Sequence, residues 1–218
     1  MNEAGIINAT IDHLFSLDFS GPFEIIVVDG NLDGNTIHAI TRPNVKKIIG
    51  EKGAGAQMNM GAAVASGDAL LFLHADTRLS QDAPLQILRA LDQNDCAAGA
   101  FDLEILSTKK IFRLIEKFAS IRSRLTKIPY GDQAVFIKKH YFEQLGGFKK
   151  IPLMEDVELM QRIKKSGLAI KIVPRKARTA SRRWDQEGIV YCTLRNWTLI
   201  TLYLLGVPPE KLKKFYIR

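Results

Sequence analysis

The sequence is poor in cysteine. Its two thiols, Cys96 and Cys192, have neither metal-site spacing nor a disulfide framework around them, which excludes a zinc ribbon or a small disulfide scaffold and suits a reducing, cytoplasmic setting. A secretory leader is also missing: Met1-Asn2-Glu3-Ala4 places no basic region ahead of an apolar stretch. Long apolar runs are absent too. The longest near the C-terminus, Trp197 to Val207, is interrupted by threonines and falls short of the roughly 20 residues a bilayer span needs. There is no internal repeat, no low-complexity tract and no Pro/Ser-rich linker. The 218 residues therefore read as one domain, with residues 186–218 as a C-terminal helical appendage.

What is present is an ordinary globular composition, 46% hydrophobic and 25% charged, carrying a net charge of +8. That charge suits an anionic partner such as a nucleotide or a phospholipid surface. Nucleic acid is disfavoured, because the basic residues are dispersed and lack interleaved aromatics.

Strand and helix signals alternate in the first half. Glu24-Ile25-Ile26-Val27-Val28 is a β-branched run ending on Asp29-Gly30, and Ala69-Leu70-Leu71-Phe72-Leu73 is a second, ending on His74-Ala75-Asp76. Runs apolar on both faces predict covered strands of the parallel kind. Helices are expected over Gln57–Ser66 and Asp82–Asp92. Further on, Ala100–Ile105 alternates like a half-buried strand and Lys109–Leu125 has helical spacing. Ala134–Ile137 reads as a short strand, Glu155–Lys165 as an amphipathic helix, Ile170–Val173 as a last strand stopped by Pro174, and Ile189–Leu205 as a helix. The class is α/β, and ligands of such sheets bind beyond the carboxyl ends of the strands. Asp29 and Asp76 share that rim.

Each candidate residue has a plain and a chemical reading. Asp76 caps a helix or closes an Asx-turn, or it anchors a divalent cation beside a leaving diphosphate. Asp29-Gly30 is a turn, or it meets a nucleobase or ribose. Glu155-Asp156 complements a helix dipole, or one of the pair removes the proton of an attacking hydroxyl. Arg182-Arg183-Trp184 is a solvated basic loop with an anchoring aromatic, or it grips phosphate and sugar.

In combination and in order, several strings resemble family 2 glycosyltransferases. They include Ile25-Ile26-Val27-Val28-Asp29-Gly30, Gln57-Met58-Asn59, Leu73-His74-Ala75-Asp76-Thr77, Tyr130-Gly131-Asp132-Gln133, Leu145-Gly146-Gly147-Phe148, Pro152-Leu153-Met154-Glu155-Asp156 and Arg182-Arg183-Trp184. They resemble in particular the small bacterial subgroup of radical-SAM/selenodomain-associated transferases, type 2. The resemblance implies a GT-A fold, a Rossmann-like mixed sheet flanked by helices. It implies an inverting transfer from a UDP- or GDP-linked sugar to an acceptor hydroxyl, assisted by Mg²⁺ or Mn²⁺.

By that resemblance Asp76 would bind the metal, Asp156 with Glu155 would be catalytic, and Asp29 and Gly30 would meet the base. Gln57, Asn59, Asp132, Arg182, Arg183 and Trp184 would line the donor site. Three departures accompany it. Members open with a central strand that this sequence, starting at Met1-Asn2-Glu3, lacks. Ala54 and Ala56 stand where relatives have arginines, and His74 replaces the first acid of Asp-x-Asp. The alternative is a nucleotide-sugar-binding protein impaired in catalysis. An incomplete sheet also invites strand sharing in a homodimer. The C-terminal mix of Trp197, Tyr203, Lys211, Lys213, Lys214, Phe215, Tyr216 and Arg218 suits peripheral contact with the inner membrane and a lipid-linked acceptor.

Overall fold

The computed structural model describes residues 3–93 and 95–216. It runs α1 (Ile7–Phe15), β1 (Ile25–Asp29), α2 (Asn35–His38), β2 (Val45–Ile49), α3 (Ala54–Val64), β3 (Ala69–Leu71), β4 (Thr77–Arg78), α4 (Ala83–Leu91), β5 (Cys96–Leu106) and α5 (Lys110–Thr126). It continues with β6 (Phe136–Lys138), α6 (Lys139–Gln144), α7 (Glu155–Lys165), β7 (Ala169–Ala180), α8 (Arg182–Glu187), α9 (Ile189–Leu204) and α10 (Pro209–Tyr216). The strands form two sheets, a parallel pair β1-β2 and a mixed five-stranded sheet ordered β3-β6-β5-β7-β4.

The expected strands and helices recur with shifted ends, and three readings need correction. Ala100–Ile105 is the middle of the longer β5, which is buried on both faces rather than half-buried. Its residues pack into two cores, Ala98 and Ala100 with Leu159, Met160 and Ile163 of α7 and Phe101 with Ile87 and Leu91 of α4, so neither face meets water. Pro174 does not stop the last strand. β7 runs on to Ala180, because its pairing with β5 shifts between Phe101↔Val173 and Asp102↔Lys176. The bulge absorbs Pro174 and Arg175, and a bulge is where a sheet tolerates a residue with no N–H to donate. The parallel arrangement expected of β3 is also replaced, since β3 pairs antiparallel with β6.

The strands divide into two separately hydrogen-bonded sheets. Among the described residues β1 pairs only with β2 and β3 only with β6, so each keeps an open edge. Two devices soften that opening. The Asp29 carbonyl accepts from Gly50 on the β2 side, so the Val28 carbonyl faces the open edge, where Gln57 Nε2 donates to it at 2.9 Å. Helix α1 packs Ile7 and Ile11 against Ile25, Ile37, Ile40 and Val45, and its Leu14 touches the core beneath the larger sheet as well. Thr10 Oγ1 of α1 also donates to the Ala75 carbonyl at 2.5 Å, which holds the chain just ahead of Asp76.

Candidate active site

Two loops bring three carboxylates together. The first is a single 3₁₀ turn, Gly131–Gln133, whose capping box closes between Tyr130 and Gln133. Gln133 is fully buried; its Nε2 donates to the Phe101 carbonyl of β5 at 2.9 Å, and its Oε1 accepts from Arg122 of α5 and from the Tyr130 N–H. The Arg122 guanidinium lies 3.3 Å over the Tyr130 ring. The second loop ends at Met154, just ahead of Glu155 and Asp156 at the start of α7. The N–H of Gly131 donates to Asp156 Oδ2 at 2.5 Å, so the two loops meet carboxylate to backbone.

The backbone is strained on both sides of this junction. Ala134 (φ 50°) follows the turn and Met154 (φ 68°) precedes α7, and both are in the left-handed region. Each such residue costs about 1–3 kcal/mol and persists where the surroundings enforce it. Here the two conformations aim Asp132 and Asp156 at one another's neighbourhood. Helix α7 still gains from its acidic first turn and its basic last turn, Arg162, Lys164 and Lys165.

The electrostatics are those of a desolvated acidic pocket. Asp132 and Asp156 remain partly accessible, yet the surrounding protein pushes both carboxyls above the usual range. For Asp156 burial dominates, opposed by the N–H groups of Gly131 and Val157 and by His74. For Asp132 burial dominates again, with Arg122 lowering and Asp156 raising. Glu155 is pushed up to about 7 by burial and by Asp156, and Tyr130 to about 12, chiefly by burial. Asp132 Oδ1 is enclosed and finds no hydrogen-bond partner among the described residues. Burying an acceptor without a partner costs roughly 1–3 kcal/mol, more for a charge. His74 faces the same space: a Cβ built on Gly131 would stand 3.3 Å from His74 Nε2 and 3.4 Å from Asp156 Oδ2. Glycine keeps that space open.

The other expected residues have partners of their own. Asp76 faces Arg182, with Oδ2 3.6 Å from Nη2, and Arg182 also pairs with Glu3 at 2.7 Å. Among the described residues no group of three His, Cys, Asp or Glu side chains gathers to hold a metal. Asp29 is buried, and its oxygens accept the N–H groups of Asn31 at 3.0 Å and Thr36 at 2.9 Å. Burial raises its carboxyl, but those bonds outweigh it and leave the pKa lowered. Gly30 sits against Gln57, 2.9 Å from where its Cβ would stand.

Four residues expected at the donor site make contacts within the protein. Asn59 clamps the Phe148 backbone through two bonds of 2.8 and 2.9 Å, fastening the Leu145–Phe148 loop to α3, and Gln57 is engaged by Val28. Arg183 stacks on Tyr216, donates to its hydroxyl and pairs with Glu187. Trp184, half-buried, meets Phe112 edge-on at 5.8 Å and donates to Thr193, because α8 lays it on the core of β5 and α5. Of Arg182, Arg183 and Trp184, Arg182 alone is paired with Asp76. Arg122 and the turn-closing role of Gln133 carried no sequence signal beyond the Tyr130–Gln133 string.

Comparisons with known proteins agree with this architecture. The chain belongs to the glycosyl transferase family 2, whose model matches residues 1–149. It is 26% identical over 212 residues to the probable glycosyltransferase YdaM of Bacillus subtilis strain 168, covering 85% of this chain and 49% of that protein. Among solved structures, the mannosyltransferase PcManGT from Pyrobaculum calidifontis, in complex with GDP-Man and Mn²⁺, superposes with a TM-score of 0.60 at 20% identity over 81% of this chain and 53% of its own. S. aureus TarS 1–349 with UDP-GlcNAc gives 0.61 at 14% identity over 82% and 56%. The fold is GT-A. The chain spans about half the length of the curated relative it matches.

Proposed function

We propose that the chain transfers a sugar from a UDP- or GDP-linked donor to an acceptor hydroxyl, by direct displacement with inversion. The observation that carries this reading is the pairing of two desolvated carboxylates, Asp132 and Asp156, across Gly131, with Asp132 Oδ1 left without a partner. An acceptor hydroxyl entering there has an acceptor atom to meet and a base to deprotonate it. Its oxygen attacks the anomeric carbon while the carbon–oxygen bond to the diphosphate breaks. The electron pair leaves with the nucleoside diphosphate, and the proton passes to Asp156. A carboxyl raised by burial is a stronger base for that step than an ordinary one, and Glu155 adds negative potential beside it. GDP-Man and UDP-GlcNAc in the neighbouring structures support the donor class.

The Mn²⁺ of PcManGT supports a divalent ion here as well. The donor set fits one held mainly by the diphosphate, because Asp76 offers a single carboxylate. Such an ion neutralises charge developing on the leaving group. Arg182, already beside Asp76, adds a second cation to that charge. Asp29, fixed and ionised at the end of β1, suits base or ribose recognition.

A second reading is a donor-binding protein without turnover, favoured by the open edges of β1 and β3. A thermal-shift panel of UDP- and GDP-sugars with Mn²⁺ or Mg²⁺, followed by nucleoside diphosphate release, separates the two. The transferase reading expects a stabilising donor whose release is lost in Asp156→Asn. Stabilisation without release from any acceptor mixture would favour the binder.

A further inference from the structure

Helices α5 and α9 are each apolar on two sides. The inner side of α5 packs Phe112, Ile115 and Ala119 under β5, and α9 buries Cys192, Leu199 and Ile200. Both helices therefore already have the core contact that stabilises a surface helix. On its outer side α5 exposes Ile111, Leu114, Phe118, Ile121 and Leu125, at alternating spacings of three and four residues, with Leu125 80% exposed. On α9 the outer side exposes Val190, Leu194, Trp197 and Leu204, and Leu205 follows at 76%. Phe118 and Trp197 meet edge to face at 6.0 Å, so the two stripes form one surface. A contiguous apolar patch of this kind marks an interaction site.

Charge identifies what covers it. Lys110, Arg113 and Lys117 stand exposed on α5, whose one acid, Glu116, is buried and engaged with the Ile105 N–H and Arg113, while Arg122 and Arg124 turn to Tyr130 and Asp102. Helix α9 has no acid at all, and α10 adds exposed Lys211, Lys213 and Lys214 against a single exposed acid, Glu210. A second copy docking on this face would set one positive rim against another. An anionic phospholipid surface complements both the rim and the apolar stripe. No helix among the described residues is long and apolar enough to cross a membrane, so the contact lies along the interface rather than through it.

We infer that the outer face of α5 and α9 docks this domain onto an anionic bilayer. Arg122, between Ile121 and Ser123 on α5, is the residue that lies over Tyr130 beside Asp132, so the docked face adjoins the carboxylate site. The C-terminal mix expected to touch lipid is thus divided. Trp197 and Phe215 face outward, whereas Tyr216 turns inward under Arg183; Arg218 lies outside the described residues.

The test is co-sedimentation of the intact chain with vesicles of phosphatidylcholine alone and of phosphatidylcholine mixed with phosphatidylglycerol, without donor or metal. Vesicle binding is thereby read separately from transferase activity, and its failure leaves the proposed reaction untouched. Binding to the mixed vesicles is expected to exceed that to the neutral ones by ~10-fold or more and to weaken in high salt. The triple variant Leu114→Ser/Phe118→Ser/Leu125→Ser, at exposed positions, is expected to keep the melting temperature and lose binding by ~10-fold. A Lys110→Gln/Lys117→Gln/Lys213→Gln/Lys214→Gln variant, none of whose lysines holds the site, is expected to lose the preference for anionic lipid. Absence of binding to the mixed vesicles, or binding that the triple variant leaves intact, would overturn the inference. So would a concentration-dependent dimer by light scattering that the triple variant dissolves, since the face would then belong to a second copy.

Discussion

Asp29 and Asp156 are the same side chain at two places in one fold, and their surroundings push them in opposite directions. Asp29 closes its own loop through the N–H groups of Asn31 and Thr36 and stays ionised well below ordinary pH. Asp156 receives the Gly131 N–H too, but burial wins and its carboxyl is raised. The difference lies in how many donors meet the charge relative to how much water is removed. A carboxylate held down is suited to binding, and one held up is suited to taking a proton.

Substitutions at the two places should therefore separate affinity from chemistry. The largest effect is expected for Asp156→Asn: transfer falls by ~10³-fold in kcat, with donor affinity little changed. Next comes Asp76→Asn, which should lower kcat/KM by ~10²-fold and abolish most of the stimulation by Mn²⁺, read by titrating the metal at fixed donor. Asp29→Asn is expected to raise the donor KM by ~10-fold while leaving kcat within a factor of about 2–3. If Asp29→Asn instead lowered kcat as Asp156→Asn does, the contrast between the two places would collapse.

A smaller effect concerns stability. Glu155 is raised to about 7 in the folded chain. Its contribution is therefore fully present below the unfolded carboxyl pKa near 4.5 and is lost as pH rises through about 7. The swing is on the order of 3 kcal/mol. Melting curves should fall by ~5 °C between pH 5.5 and pH 8 from this residue, and Glu155→Gln should flatten that part of the slope. The smallest change is Gly131→Ala. Its methyl group intrudes 3.3–3.4 Å from His74 and Asp156 and is expected to reduce kcat by ~5-fold with little loss of stability.

Much of this was legible in the sequence where periodicity and burial agree. α7 falls on Glu155–Lys165 as its spacing demands, and β1 ends on Asp29 as its β-branched run does. β2, Val45–Ile49, was silent because a short edge strand with two exposed lysines has no apolar alternation. α1 was silent because its first turn has no side-chain cap and its stability comes from packing between two sheets. Pro174 misled because a bulge is decided by the partner strand rather than by local propensity. At the site, the strand-end and helix-start carboxylates could be named from their positions. The pairing of Trp184 with Phe112 and of Arg183 with Tyr216 could not, because α8 is set by its contacts with α5 and α10. Nor could the strain at Ala134 and Met154, which only the meeting of two loops imposes.

The contrast at the centre of this account is testable without knowing the sugar or the acceptor. A ¹³C side-chain carboxyl titration by NMR, assigned with Asp29→Asn and Asp156→Asn, follows both groups in one sample. Asp29 is expected to titrate below the ~3.9 of an unperturbed aspartate. Asp156, coupled to Asp132, is expected to titrate above it in steps that belong to the pair, and Asp132→Asn should move those steps. An Asp156 that titrates at or below the midpoint of Asp29 would contradict the account, because its carboxylate would then have no special claim to the proton.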